Sequence, residues 1–86
     1  MTVVFYGSVI DRADGQDFVQ LRNSVSVRTL IDELGRRFGP NFKTFLLGDE
    51  TCLFLVNGRG ILATGGLDTA LAPGDKIEVL PFIEAG

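Results

Sequence analysis

Few residues in this chain of 86 can do chemistry: the single cysteine Cys52, the adjacent carboxylates Asp32 and Glu33, the arginine pair Arg36 and Arg37, and the run Asn57-Gly58-Arg59-Gly60. Cys52 opens an apolar stretch with no basic residue beside it to lower its pKa, the setting of an inert packing thiol. Asp32 and Glu33 are neighbours within a helical pattern and point in different directions, so they read as solvated charges and not as a paired-carboxylate site. Asn57-Gly58-Arg59-Gly60 lacks the Walker spacing and precedes no capped helix, so it reads as a hairpin turn with Arg59 exposed, not as a phosphate cradle. Arg36 and Arg37 are accounted for by the electrostatics of a helix end. The chain has no histidine and one cysteine, which excludes an intramolecular disulfide, a Cys/His zinc site, a four-cysteine iron–sulfur cluster and a histidine-based triad. No metal site and no bound cofactor are expected, and an intrinsic enzyme is the least favoured class.

The rest of the composition describes a small folding domain. Apolar residues make up 45% and charged residues 22%, close to the globular average, and the length allows one core. Eight basic and eleven acidic residues give a net charge of -3, with the basic ones scattered from Arg12 to Lys76. Without a concentrated positive patch, no nucleic-acid partner is expected. No segment has the pattern of a signal peptide or the roughly 20 apolar residues of a membrane span, so the expectation is a soluble, cytoplasmic protein with no membrane partner.

The elements that position these residues follow from periodicity. Thr2 to Ile10 is rich in β-branched and aromatic residues and reads as a strand; Asp14-Gly15 supplies a tight turn, and Asp17 to Arg22 returns antiparallel. From Ser26, Val27, Leu30, Ile31, Leu34 and Phe38 fall on one helical stripe, with Ser26 as N-cap and Gly39-Pro40 closing the helix. Phe42 to Leu47 is too irregular for a strand and too short for a full helix, and is expected as a loop with about one helical turn. Cys52 to Val56 has no polar break and reads as a central strand buried on both faces, ended by Asn57-Gly58. Ile61 and Leu62 suit a short strand, Leu67 to Leu71 a helical turn, and Lys76 to Leu80 a last strand. Hairpin, helix, strand, irregular segment, strand is the order of an α+β β-grasp roll: one mixed sheet with one main helix on one face, residues 1–86 as a single domain, and a flexible tail over 82–86. One helix covers one face, so a second apolar set, Val4, Tyr6, Phe54, Leu80 and Phe82, requires either Phe42 to Leu47 folded across it or a partner protein.

With these elements placed, Leu55-Val56-Asn57-Gly58-Arg59-Gly60-Ile61 followed by Leu67-Asp68-Thr69-Ala70-Leu71-Ala72-Pro73-Gly74-Asp75-Lys76-Ile77-Glu78-Val79-Leu80-Pro81 resembles the ubiquitin-like sulfur carriers of the MoaD/ThiS family. Each turn is common singly; their order, spacing and distance from a terminal glycine make the combination specific. The long connection from Gly39 to Thr51 is most similar to the small subunit of molybdopterin synthase.

The resemblance implies that the working group is the carboxylate of Gly86. A partner, an adenylating enzyme of the ubiquitin-activating type, would use ATP to activate it, a sulfur donor would convert it to a thiocarboxylate, and the molybdopterin synthase large subunit or an equivalent acceptor would take the sulfur. Leu80, Pro81, Phe82, Ile83, Glu84 and Ala85, with Phe54 and Tyr6, would bind these partners. A terminal glycine has no side chain and wide backbone freedom, which suits entry into a narrow channel. The family's tail ends in two glycines, whereas this chain carries Ala85 at the penultimate position. That departure keeps open a β-grasp interaction module that is not activated, and a protein modifier joined through Gly86 to lysines of its targets is a further alternative.

Overall fold

A computed structural model describes residues 1–48 and 52–82. Its centre is a five-stranded mixed sheet in the order β2-β1-β5-β3-β4. Strand β1 (Thr2–Phe5) pairs antiparallel with β2 (Phe18–Gln20) and parallel with β5 (Lys76–Pro81), in the register Val3 to Ile77 and Phe5 to Val79. Strand β3 (Cys52–Val56) lies antiparallel on the other side of β5, and the two-residue β4 (Arg59–Gly60) completes that edge. The first and last strands therefore meet in the middle of the sheet, as the β-grasp order requires.

The strand expected to run to Ile10 stops at Phe5. Gly7 adopts φ 55° and ψ −134°, a conformation open essentially to glycine alone, and turns the chain into a short helix α1 (Ser8–Arg12). The β-branched Val9 and Ile10, read as strand formers, lie on that helix, where Val9 is buried; tertiary context overrides a weak propensity. The Asp14-Gly15 turn is present, with Asp14 at φ 56°, and it follows α1 rather than joining two strands directly.

Helix α2 (Val27–Phe38) follows its stripe: Val27, Leu30, Ile31 and Leu34 are buried against the sheet. Ser26 caps it by accepting from the Thr29 amide at 3.2 Å, and the Thr29 hydroxyl accepts from the Ser26 amide at 3.0 Å, a reciprocal capping box. The segment expected as a loop is a second helix, α3 (Pro40–Leu47). Pro40, read as a stop for α2, also starts α3, because proline at the first helical position gives up an amide that needs no partner there. Phe42 and Leu46, one helical turn apart, are both buried. Phe5, Phe38 and Phe42 meet edge-on with centroids 5.2 to 6.0 Å apart, joining β1, α2 and α3 in one aromatic cluster. Both larger helices thus cover the same face of the sheet.

Two further expectations are corrected. β3 is not central or buried on both faces: Phe54 and Val56 point into the core while Leu53 is 39% exposed, because β5 holds the middle and helices cover one side only. Ile61 and Leu62 lie in a 3-10 turn (Ile61–Ala63) rather than a strand, with Ile61 buried and Leu62 exposed; a second 3-10 turn (Gly66–Asp68) stands where a helical turn was expected. Among the described residues no helix is long and apolar enough to cross a membrane.

Candidate functional site

Strand β5 positions the region of interest, because residues of alternate parity on one strand face opposite sides. Ile77 and Val79 are buried under the helices, so Lys76, Glu78 and Leu80 belong to the other face. The register extends that face sideways. Val4 and Leu55 flank Glu78, Phe18 lies beyond Val4, and Leu53 stands opposite Leu80. Leu53 and Phe18 are exposed and the others half-buried, and neither larger helix covers them. The polar end of the face carries Thr2, Gln20 and Lys76, with the Gln20 side-chain amide donating to the Thr2 hydroxyl at 2.9 Å.

A single polar pair sits within the apolar part. The Tyr6 hydroxyl donates to Glu78 Oε2 at 2.6 Å, and this hydrogen bond, reinforced by the negative charge, holds the phenol above its ordinary pKa. The Tyr6 backbone amide donates to the Val79 carbonyl at 3.1 Å, so β1 continues to grip β5 one residue past its own end.

At its last residues β5 pairs Leu80 with Leu53 and Pro81 with Cys52, both half-buried at positions 80 and 81. Phe82 follows, 42% exposed. Beside it an open apolar groove of about 520 Å³ runs between the end of α3 and the 3-10 turns, with Leu47, Cys52, Leu62 and Phe82 among its walls. The strand thus delivers its last described residue to an apolar surface rather than a charged one.

The sequence-predicted site residues separate accordingly. Tyr6, through its bond to Glu78, and Leu80 fall on the open face, Pro81 ends the strand, and Phe82 follows it. Phe54 does not: it is registered with Val79 and 6% exposed, so it belongs to the core, where it forms part of the groove floor. Helix α3 does not fold over the second apolar set either, since Phe42 packs on Phe5 and Phe38 beneath the opposite side. Ile83, Glu84, Ala85 and Gly86 lie outside the described residues. Cys52 is half-buried at the groove. Asp32, read as a solvated charge, pairs with Lys43 Nζ at 2.7 Å, a hydrogen bond that lowers its pKa. No cluster of metal-ligating side chains occurs among the described residues.

Sequence reading missed one polar assembly at the opposite end of β5. Asn57, at φ 52° in the β3–β4 turn, donates from Nδ2 to Asp75 Oδ1 at 3.0 Å and accepts at Oδ1 from the Lys76 amide at 3.0 Å. Asp75 Oδ2 accepts from the Ala72 amide at 2.8 Å, and these bonds hold the carboxyl below its ordinary pKa. Asn57-Gly58 and Gly74-Asp75 each signal a turn, yet no local spacing says that the two turns clasp one another.

A mixed sheet with parallel first and last strands and helices on one face is the ubiquitin-like β-grasp fold. The chain belongs to the ThiS family, whose sequence model matches residues 3–86. Solved structures agree on the fold. CysO in the Amycolatopsis orientalis BexX/CysO complex is 24% identical with a TM-score of 0.84, the match covering 99% of this chain and 98% of that one. Small archaeal modifier protein 1 from Methanosarcina acetivorans is 25% identical with a TM-score of 0.80, covering 99% and 94%. A putative molybdopterin converting factor subunit 1 from Pyrococcus furiosus is 26% identical with a TM-score of 0.70, covering 93% of each chain. No curated protein sequence matches.

Proposed function

We propose that this chain is a sulfur carrier and not itself an enzyme, acting in the cytoplasm with Gly86 as its working terminus. An adenylating enzyme of the ubiquitin-activating type uses ATP to convert the Gly86 carboxylate to an acyl-adenylate, releasing pyrophosphate. A sulfur donor displaces AMP to leave a thiocarboxylate, and the molybdopterin synthase large subunit or an equivalent acceptor takes the sulfur. The chain itself needs no bound cofactor for this, because ATP is handled by the partner. The observation that carries the reading is the family match running to residue 86, through the strand that leads to the terminus. The open face of Val4, Tyr6, Leu55 and Leu80 offers the partner a surface that reaches the end of β5 at Pro81 and the exposed Phe82. The likeness to a converting factor subunit supports molybdopterin synthesis as the destination.

The test is the intact mass of the protein with a native carboxyl terminus after incubation with the adenylating enzyme of its own cell, ATP and a sulfur donor. Replacement of one terminal oxygen by sulfur, mapped to Gly86 and absent without ATP, is the expected result. No such change, with an enzyme shown to charge another carrier, overturns the proposal. A second reading, conjugation of Gly86 to lysines of other proteins, is favoured by the likeness to an archaeal modifier. It predicts higher-mass conjugates in the native cell that vanish when Gly86 is deleted.

A further inference from the structure

We infer that Asn57-Gly58 is a site of spontaneous deamidation that the clasp to Asp75 keeps silent while the chain is folded. The inference stands apart from the carrier reading. An asparagine followed by glycine is chemically exposed, because the glycine amide nitrogen can reach the asparagine Cγ with no side chain in the way. Attack by the Gly58 nitrogen on Asn57 Cγ forms a five-membered succinimide and expels ammonia. Water then opens the ring to aspartate or isoaspartate, so that one nitrogen leaves and one oxygen enters. Both residues of the turn are exposed to the water that this requires.

The structure holds the reacting group elsewhere. The leaving nitrogen, Asn57 Nδ2, is bonded to Asp75 Oδ1 at 3.0 Å, and the carbonyl oxygen of the same carboxamide is bonded to the Lys76 amide at 3.0 Å. Asp75 is itself fixed by the Ala72 amide at 2.8 Å, and the Asn57 amide is anchored to the Lys76 carbonyl at 2.8 Å. The carboxamide is therefore pinned to the start of β5, and ring closure over Gly58 requires both of its bonds to break. The reaction is also one-way for the clasp. An aspartate at this position has only acceptors to offer the Asp75 carboxylate, and two carboxylates at hydrogen-bonding distance repel. Isoaspartate adds a backbone atom next to the Val56–Ile77 pairing and shifts the strand end.

The test follows deamidation of the full chain in mildly alkaline buffer by peptide mapping, comparing the native protein with Asp75→Ala and with the native protein unfolded in urea. Folding of each variant is checked by circular dichroism. Folded Asp75→Ala should modify at Asn57 roughly tenfold faster than the native chain, the population change expected when about one hydrogen bond is removed. The urea-unfolded chain should be faster still. Equal rates for folded native protein and folded Asp75→Ala, or for the folded and unfolded native chain, overturn the inference. Should Asp75→Ala not fold, Asp75→Asn has one acceptor oxygen for the two donors that Asp75 serves, Asn57 Nδ2 and the Ala72 amide, so the clasp is weakened and Asn57 should modify several-fold faster than in the native chain; a native rate in that folded variant also overturns the inference.

Discussion

The two faces of the sheet are built from the same strands, yet they hold opposite kinds of surface. On the covered face, Val3, Phe5, Ile77 and Val79 are essentially inaccessible and lie beneath α2 and α3. On the other, Val4, Leu55 and Leu80 keep partial contact with water, and Glu78 sits among them, its carboxylate accepting from the Tyr6 hydroxyl. Alternation along a strand normally sends polar residues outward, so an outward face this apolar is made for contact rather than for solvation. Stability resides on the covered side, and the proposed function puts partner recognition on the other, so substitutions on the two sides should separate those properties.

The largest loss of stability is expected from Phe5→Ala, which removes the ring shared by Phe38 and Phe42 at about 3–5 kcal/mol, read from urea denaturation. Gly35→Ala comes next. A Cβ there would lie 2.9 Å from Lys43 Cβ, the root of a side chain on α3, so the helices must part; a loss of about 1–3 kcal/mol is expected, partly offset by better helix propensity. Ser26→Ala should cost about 1 kcal/mol by removing the α2 cap. Asp75 contributes to the acid limb of the stability curve, beside Asp32. Its folded pKa is depressed, so its contribution is present above the ordinary carboxylate range and is lost as pH falls through the folded value. Asp75→Ala should flatten that limb in thermal melts taken across acid pH. Leu55→Ser should change stability least, by about 0.5 kcal/mol, while slowing charging by the adenylating enzyme roughly tenfold, the loss typical of a contact inside an interface. Leu55→Ser with native charging, or Phe5→Ala with native stability, would break the division between the faces.

Periodicity made the grasp itself legible. The stripe from Val27 to Phe38, the cap at Ser26 and the closing Gly39-Pro40 all stand where the pattern puts them. Helix α3 was less visible because Phe42, Phe45, Leu46 and Leu47 leave a weak stripe over eight residues, and because Pro40 signals an end and a beginning with the same residue. Phe54 was assigned to the wrong face because an unbroken apolar strand carries no parity of its own; only its register with Val79 fixes the side. Val9 and Ile10 favour a strand locally, and the single backbone angle at Gly7 overrules them. The clasp lay beyond sequence reading for a different reason. Its partners are 18 residues apart and are joined by strand pairing, not by a local motif.

The position of β5 also governs the order in which this molecule can come into being. The strand in the middle of the sheet is the last in the chain among the described residues, and until residues 76–81 have emerged, the β1–β2 and β3–β4 pairs have nothing between them. Pairing β1 with β5 closes a loop that spans most of the chain, a slow step for any nascent polypeptide. A product terminated before residue 76 therefore has no central strand, leaves the edges of β1 and β3 unpaired, and remains open to proteolysis.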